Sequence, residues 1–112
     1  MDIKFKSRKL AKELNDSQKL IQRHGPVRAK LIRRRLDDLR AASILEVMRT
    51  IPQARCHELK GDLCGLLSVD LDHPYRLLFR PCNNPIPTKP DGGLDWARVN
   101  QIEILGVEDT HD

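Results

Sequence analysis

Aromatic residues are scarce in this sequence. Two phenylalanines, one tyrosine and one tryptophan (Phe5, Phe79, Tyr75, Trp96) occur among 112 residues. That excludes wide aromatic stacking platforms for single-stranded nucleic acid and leaves a core of leucine, isoleucine and valine. Long hydrophobic runs are missing too. No apolar stretch approaches the ~20 residues that span a bilayer, so a soluble protein with no membrane partner is expected. Cysteine is limited to Cys56, Cys64 and Cys82, an odd set with no C-x-x-C spacing and no export signal ahead of it. A reducing, cytoplasmic setting follows as an expectation. With His57, His73 and His111 these thiols raise the question of zinc. Adjacent Cys56 and His57 would point to opposite faces of a strand, however, and no paired-ligand spacing occurs, so neither a metal site nor another cofactor is expected.

Acidic charge is also sparse in one part of the chain. Residues 1–40 hold 13 Lys+Arg against 5 Asp+Glu, and residues 41–112 hold 7 against 11, so the two parts carry +8 and −4. A first part this basic suits a polyanionic partner, although a solvated helical face has the same composition. Arg33, Arg34 and Arg35 are consecutive and cannot share one helix face, so at least one must skirt the buried side. With 39% hydrophobic residues the chain can bury one modest core, and residues 1–112 are read as a single domain.

Periodicity divides the chain in the same way. Met1 to Lys6 reads as a strand, and Ser7 can cap a helix that starts at Arg8 and carries Leu10 and Leu14. Asn15-Asp16-Ser17 interrupts the pattern, Leu20 and Ile21 resume it, and His24-Gly25-Pro26 supplies a stop and a fresh start. Val27, Leu31, Ile32, Leu36 and Leu39 then follow helical spacing, which leaves Arg28, Lys30, Arg33, Arg34 and Arg40 mainly outward. The two helical stretches are expected to form an antiparallel hairpin, followed by a short helix capped by Ser43. After Pro52 the period changes. Strands are expected over 54–59, 63–71, 75–80 and 99–107, with a proline-, asparagine- and glycine-rich loop over 81–93. The fold class expected is α+β: an N-terminal helical hairpin packed on one face of a small twisted, mostly antiparallel sheet. Tyr75, Leu77 and Phe79 would face the helices, and Arg76 and Arg80 the open side.

Three segments carry residues fit for chemistry: His57 to Asp62, the pair Arg76 and Arg80, and Glu108 to His111. Metal-free RNA cleavage needs a base for the ribose 2′-hydroxyl, cations for the phosphorane-like transition state and an acid for the departing 5′-oxygen. Histidine, arginine and lysine are the residue types for those tasks. Each also has a plainer use. Arg76 and Arg80 could pair with Asp70, Asp72 or Glu103 across a sheet, and Lys60-Gly61-Asp62 is a good turn by itself.

Taken in order, His57-Glu58-Leu59-Lys60-Gly61-Asp62, Gly65-Leu66-Leu67-Ser68-Val69-Asp70 and Tyr75-Arg76-Leu77-Leu78-Phe79-Arg80 resemble the H-x-L-K-G-[DE] … YR-[LIV]-x-F-[RK] core of HigB-type (proteic killer) toxins of the RelE/ParE superfamily. Glu108-Asp109-Thr110-His111 resembles the D-Y-H close of that family, and the likeness in order and length covers nearly the whole chain. The resemblance implies the toxin of a type II toxin-antitoxin system, a ribosome-dependent, metal-independent mRNA endoribonuclease. It matches His57 and Lys60 to the catalytic histidine and lysine, Arg76 or Arg80 to the phosphate-binding cation, and Asp109 and His111 to the carboxyl-terminal pair. His111 and His57 would share proton transfer, Lys60 and an arginine would stabilise the transition state, and Asp109 would orient a histidine. Arg28, Arg33, Arg34, Arg76 and Arg80 would contact RNA. The implied partners are the ribosome with its mRNA and a helix-turn-helix antitoxin of the HigA kind, through which alone the toxin would reach operator DNA. Two departures stand out. Thr110 replaces the usual tyrosine, which removes a stacking contact to a message base, and the loop over 81–93 is longer than in compact members. A ParE-like gyrase poison and a low-activity, antitoxin-binding co-repressor are the alternatives.

Overall fold

The computed structural model describes residues 1–109. Strand β1 (Asp2–Phe5) leads into helix α1 (Arg8–Leu14), whose first turn is capped as expected: the Ser7 hydroxyl accepts from the Leu10 amide at 3.1 Å. Asn15 and Asp16 form the break. The Asp16 carboxylate accepts from the amides of Gln18 and Lys19 and so starts α2 (Ser17–Ala41). A straight helix of that length would span roughly 37 Å. Arg40 near its end nevertheless donates to the Asn15 side chain at 3.0 Å, just before its start. The chain therefore doubles back within α2, and it does so at Gly25 (φ 79°, ψ 165°) ahead of Pro26. The expected antiparallel hairpin is present, turning at the residues that the glycine and proline marked.

The expected Ser43-capped helix is instead a 3-10 turn over Leu45–Thr50 that begins after Ile44 with no side-chain cap. A second 3-10 turn, Pro52–Ala54, delivers the chain to Arg55, which sits in left-handed conformation (φ 41°, ψ 52°). These turns shorten the next strand. β2 is only His57–Glu58, because Gly61 (φ 64°) turns the backbone away after Lys60. β3 (Leu67–Asp70), β4 (Tyr75–Pro81) and β5 (Gln101–Asp109) complete the sheet. The long loop between β4 and β5 is braced by Asn83, whose side-chain oxygen accepts from the amides of Asn100 and Gln101.

The sheet order is β1-β5-β4-β3-β2, with β1 parallel to β5 and every other pair antiparallel. Helix residues Leu20, Ile32, Leu36 and Leu39 share one buried cluster with Leu67, Val69, Leu77, Phe79, Ile102 and Ile104. Each such side chain contributes ~1.5–3 kcal/mol relative to exposure. The α+β expectation is borne out: helices cover one face of a mostly antiparallel sheet.

Arg33 and Arg34 are exposed, and Arg35 is the one that turns inward, 5% exposed. Its Nε donates to the Asp70 carbonyl (2.8 Å), Nη2 to the Gln53 carbonyl (3.1 Å) and Nη1 to the Asp38 carboxylate (3.1 Å). A single fork thus ties α2 to β3 and to the turn before β2.

Candidate active site on the helix-free face

Strand alternation sorts the sheet into rows. Leu67, Phe79 and Ile104 face one another in the core, as do Val69 and Leu77. The intervening rows point away from the helices: His57, Ser68, Leu78 and Gly106 in one, Asp70, Arg76 and Glu108 in the next. A bulge between Leu78 and Phe79 leaves Leu105 unopposed, after which Arg80 pairs with Glu103. Arg76 and Arg80 therefore lie on the side expected. They differ sharply in exposure: Arg76 is 7% exposed and Arg80 is open. The open placement expected of both holds for Arg80 alone; Arg76 is buried between Asp70 of β3 and Glu108 of β5, its partners in the same row.

Arg76 Nε lies 3.5 Å from Asp70 Oδ1, and Asp70 Oδ2 accepts from Arg55 Nε at 2.9 Å. One carboxylate thus sits between two guanidinium groups, while its own backbone carbonyl is held by Arg35. His57 is half-buried two strands away, and its Nδ1 donates to the Arg55 carbonyl at 2.8 Å. A carbonyl can only accept, so Nδ1 bears a proton. Between these residues Ser68 Oγ is fully buried with no hydrogen-bond partner among the described residues. With strands ~4.8 Å apart and alternate residues ~6.8 Å apart along a strand, the His57 and Arg76 backbones are separated by roughly 12 Å.

The remaining expected site residues are more dispersed. Lys60 is exposed where β2 ends, level with the Arg80 end of the sheet, and Arg80 is held by Glu103 at 2.7 Å. Asp109 closes β5 opposite Tyr75, in the row that alternates with Arg76. His111 and Thr110 lie outside the described residues. Arg28, read as an outward RNA contact, is instead committed elsewhere. Its Nε and Nη2 meet the two Asp72 oxygens at 2.9 and 3.2 Å, and its guanidinium lies 3.5 Å over the Tyr75 ring. Asp72 fits this site because Arg28 holds its carboxyl below the usual range. Arg33 and Arg34 remain exposed, beside Lys30, Asp37 and Asp38. Burial pushes the Cys56 thiol up to about 12 and also raises Cys82, which keeps both protonated near neutrality.

Arg35, Arg55, Asp70 and Ser68 were missed as site residues. Asp70 and Ser68 carried a signal, since they alternate with Leu67, Val69 and Leu71 and so share the face of Arg76. Arg55 carried none, because its left-handed backbone is set by the turn before it.

No protein-family model matches the chain, and no curated protein matches it in sequence. Solved structures do. A chain of the YoeB-YefM complex from Staphylococcus aureus superposes with a TM-score of 0.56 at 19% identity, over 99% of this chain and 98% of that one. The YoeB/ParE toxin from Agrobacterium tumefaciens superposes with a TM-score of 0.51 at 13% identity, over 99% of this chain and 100% of that one. At these identities the likeness is one of fold. End to end, this chain shares the helices-on-five-strands fold of these two structures.

Proposed function

We propose that this chain is the toxin of a type II toxin-antitoxin pair, of the HigB kind, and cleaves messenger RNA on the ribosome. The observation that carries the reading is the buried Arg76 guanidinium on the helix-free face together with His57, whose ring is fixed by its bond to the Arg55 carbonyl. In this mechanism Arg76 holds charge on the scissile phosphate, and His57 Nε2 exchanges a proton with a ribose or leaving oxygen. Lys60 adds a cation from the β2 end, while His111, with Asp109, provides the second proton-transfer group. The ribosome supplies the orientation of the message that an aromatic-poor face lacks. Exposed Arg33 and Arg34 suit ribosomal phosphates.

The partner in this reading is a helix-turn-helix antitoxin of the HigA kind. A neighbour of the same fold being a two-protein complex, YoeB with YefM, is consistent with such pairing. The test is incubation of the purified chain with message-loaded ribosomes and with naked RNA, followed by mapping of cut ends. Cleavage confined to ribosomes and abolished in His57→Gln supports the reading. Intact message accompanied by gyrase-dependent DNA breaks would instead favour a ParE-like poison, a name that one structural neighbour shares.

A further inference from the structure

Arg55 touches both halves of the candidate site. Its carbonyl accepts from His57 Nδ1 at 2.8 Å, and its Nε donates to Asp70 Oδ2 at 2.9 Å, the same carboxylate that faces Arg76 at 3.5 Å. Among the described residues it is the one non-glycine residue with positive φ (41°). The left-handed conformation is what allows both contacts, since it turns the carbonyl toward the ring two residues on while the side chain crosses to β3. The surroundings hold it there. Pro52 accepts from the Arg55 amide at 3.1 Å, and Arg35 clamps the Gln53 and Asp70 carbonyls on either side. A surface ion pair alone would carry little weight, because Arg55 is 57% exposed. A strained backbone maintained from beneath by a buried guanidinium is a different case.

We propose that Arg55 is a positioning residue that sets His57 and Arg76 relative to one another, its carbonyl orienting the imidazole and its guanidinium, through Asp70, the arginine. The role in cleavage rests on the nuclease reading above; the linkage itself does not. Three variants separate its two contacts. Arg55→Gly keeps the left-handed backbone and the carbonyl but loses the Asp70 contact. Arg55→Val disfavours that backbone and loses both, and Arg55→Lys keeps a cation for Asp70.

Two measurements on the full chain are needed: the cleavage rate on message-loaded ribosomes as a function of ribosome concentration, and the nitrogen-15 signals of the His57 ring in the protein alone. Arg55→Gly should retain the Nδ1-protonated ring signature while its maximal rate falls about tenfold at unchanged half-saturation. Arg55→Val should lose that signature and slow about a hundredfold. Arg55→Lys should recover most of the rate. Cleavage by Arg55→Gly and Arg55→Val at the parent rate overturns the positioning role and leaves the nuclease reading standing. An unchanged His57 signature in a folded Arg55→Val overturns the linkage. If the parent cuts no message, the nuclease reading fails, and the ring signals alone decide whether Arg55 orients His57.

Discussion

The Arg35 guanidinium donates to the backbone carbonyl of Asp70 at 2.8 Å, so a helix residue buried at the sheet surface fixes the height of the strand that carries the candidate site. The same group satisfies Gln53 and Asp38. Removing it strands two carbonyls and a carboxylate. Arg35→Met should therefore lower stability by about 3 kcal/mol, read as a shifted urea midpoint at constant slope. Arg35→Lys should recover little, since an ammonium does not reproduce three planar donors. A loss below about 1 kcal/mol for the Met variant would show that this arginine behaves as an ordinary surface ion pair.

The bend in α2 rests on one residue. Gly25 at φ 79° and ψ 165° occupies a region essentially restricted to glycine, and a Cβ there would meet no other atom within 4 Å. The penalty for Gly25→Ala is therefore one of backbone and not of packing. It should cost about 2 kcal/mol, a fall in Tm of roughly 10 °C, checked by calorimetry. A Tm within about 2 °C of the parent would mean that the hairpin can turn at another residue.

How much of this was legible beforehand depends on which forces act locally. The Ser7 cap, the Gly25-Pro26 turn, the alternation of Leu77 and Phe79 with Arg76 and Arg80, and the inward turn of one arginine all follow from periodicity and residue chemistry within a few positions. The parallel pairing of β1 with β5 did not, because residues about 100 positions apart in sequence meet only through the folded core. Arg28 differs from its expected outward placement for a related reason. Its helical position is outward, yet Asp72 and Tyr75 come from the distant β3–β4 turn and capture it. The possible pairings of Arg76 with Asp70 and of Arg80 with Glu103 were legible, but which arginine would be buried was not. That depends on a bulge, which strand alternation does not mark, and on a two-residue β2, of which the Lys60-Gly61-Asp62 turn marks only the end.

His24 offers a test by pH. Its Nε2 is buried without a hydrogen-bond partner among the described residues, and burial lowers its pKa below the ordinary 6.5. Glu13 and Asp72 oppose that shift, while Arg28 and Arg23 add to it. A base with a depressed folded pKa takes up its proton more readily when unfolded. Stability should accordingly be complete above pH 6.5 and decline as pH falls from there toward the lower folded value. His24→Gln should flatten this part of a stability-versus-pH curve measured by urea unfolding. An equal slope in parent and variant would assign the acid sensitivity to other groups.

The two arginines of β4 present the sharpest functional contrast. Arg76 is buried between Asp70 of β3 and Glu108 of β5, 3.5 Å from the Asp70 carboxylate that Arg55 also holds; Arg80 is exposed and held by Glu103 beyond the bulge. If a guanidinium stabilises a developing phosphorane, the preorganised one should matter more, because its orientation is already fixed before the message arrives. Arg76→Lys should cut the ribosomal cleavage rate by about a hundredfold. Arg80→Ala should lose less than about tenfold, mainly at low salt, because high salt screens this surface charge in the parent as well. Circular dichroism and thermal melting verify that each variant is folded. The reverse order, an inactive Arg80→Ala beside a nearly normal Arg76→Lys, would move the phosphate site to the Lys60 and Glu103 end of the sheet, and with it the whole assignment of the proton-transfer groups.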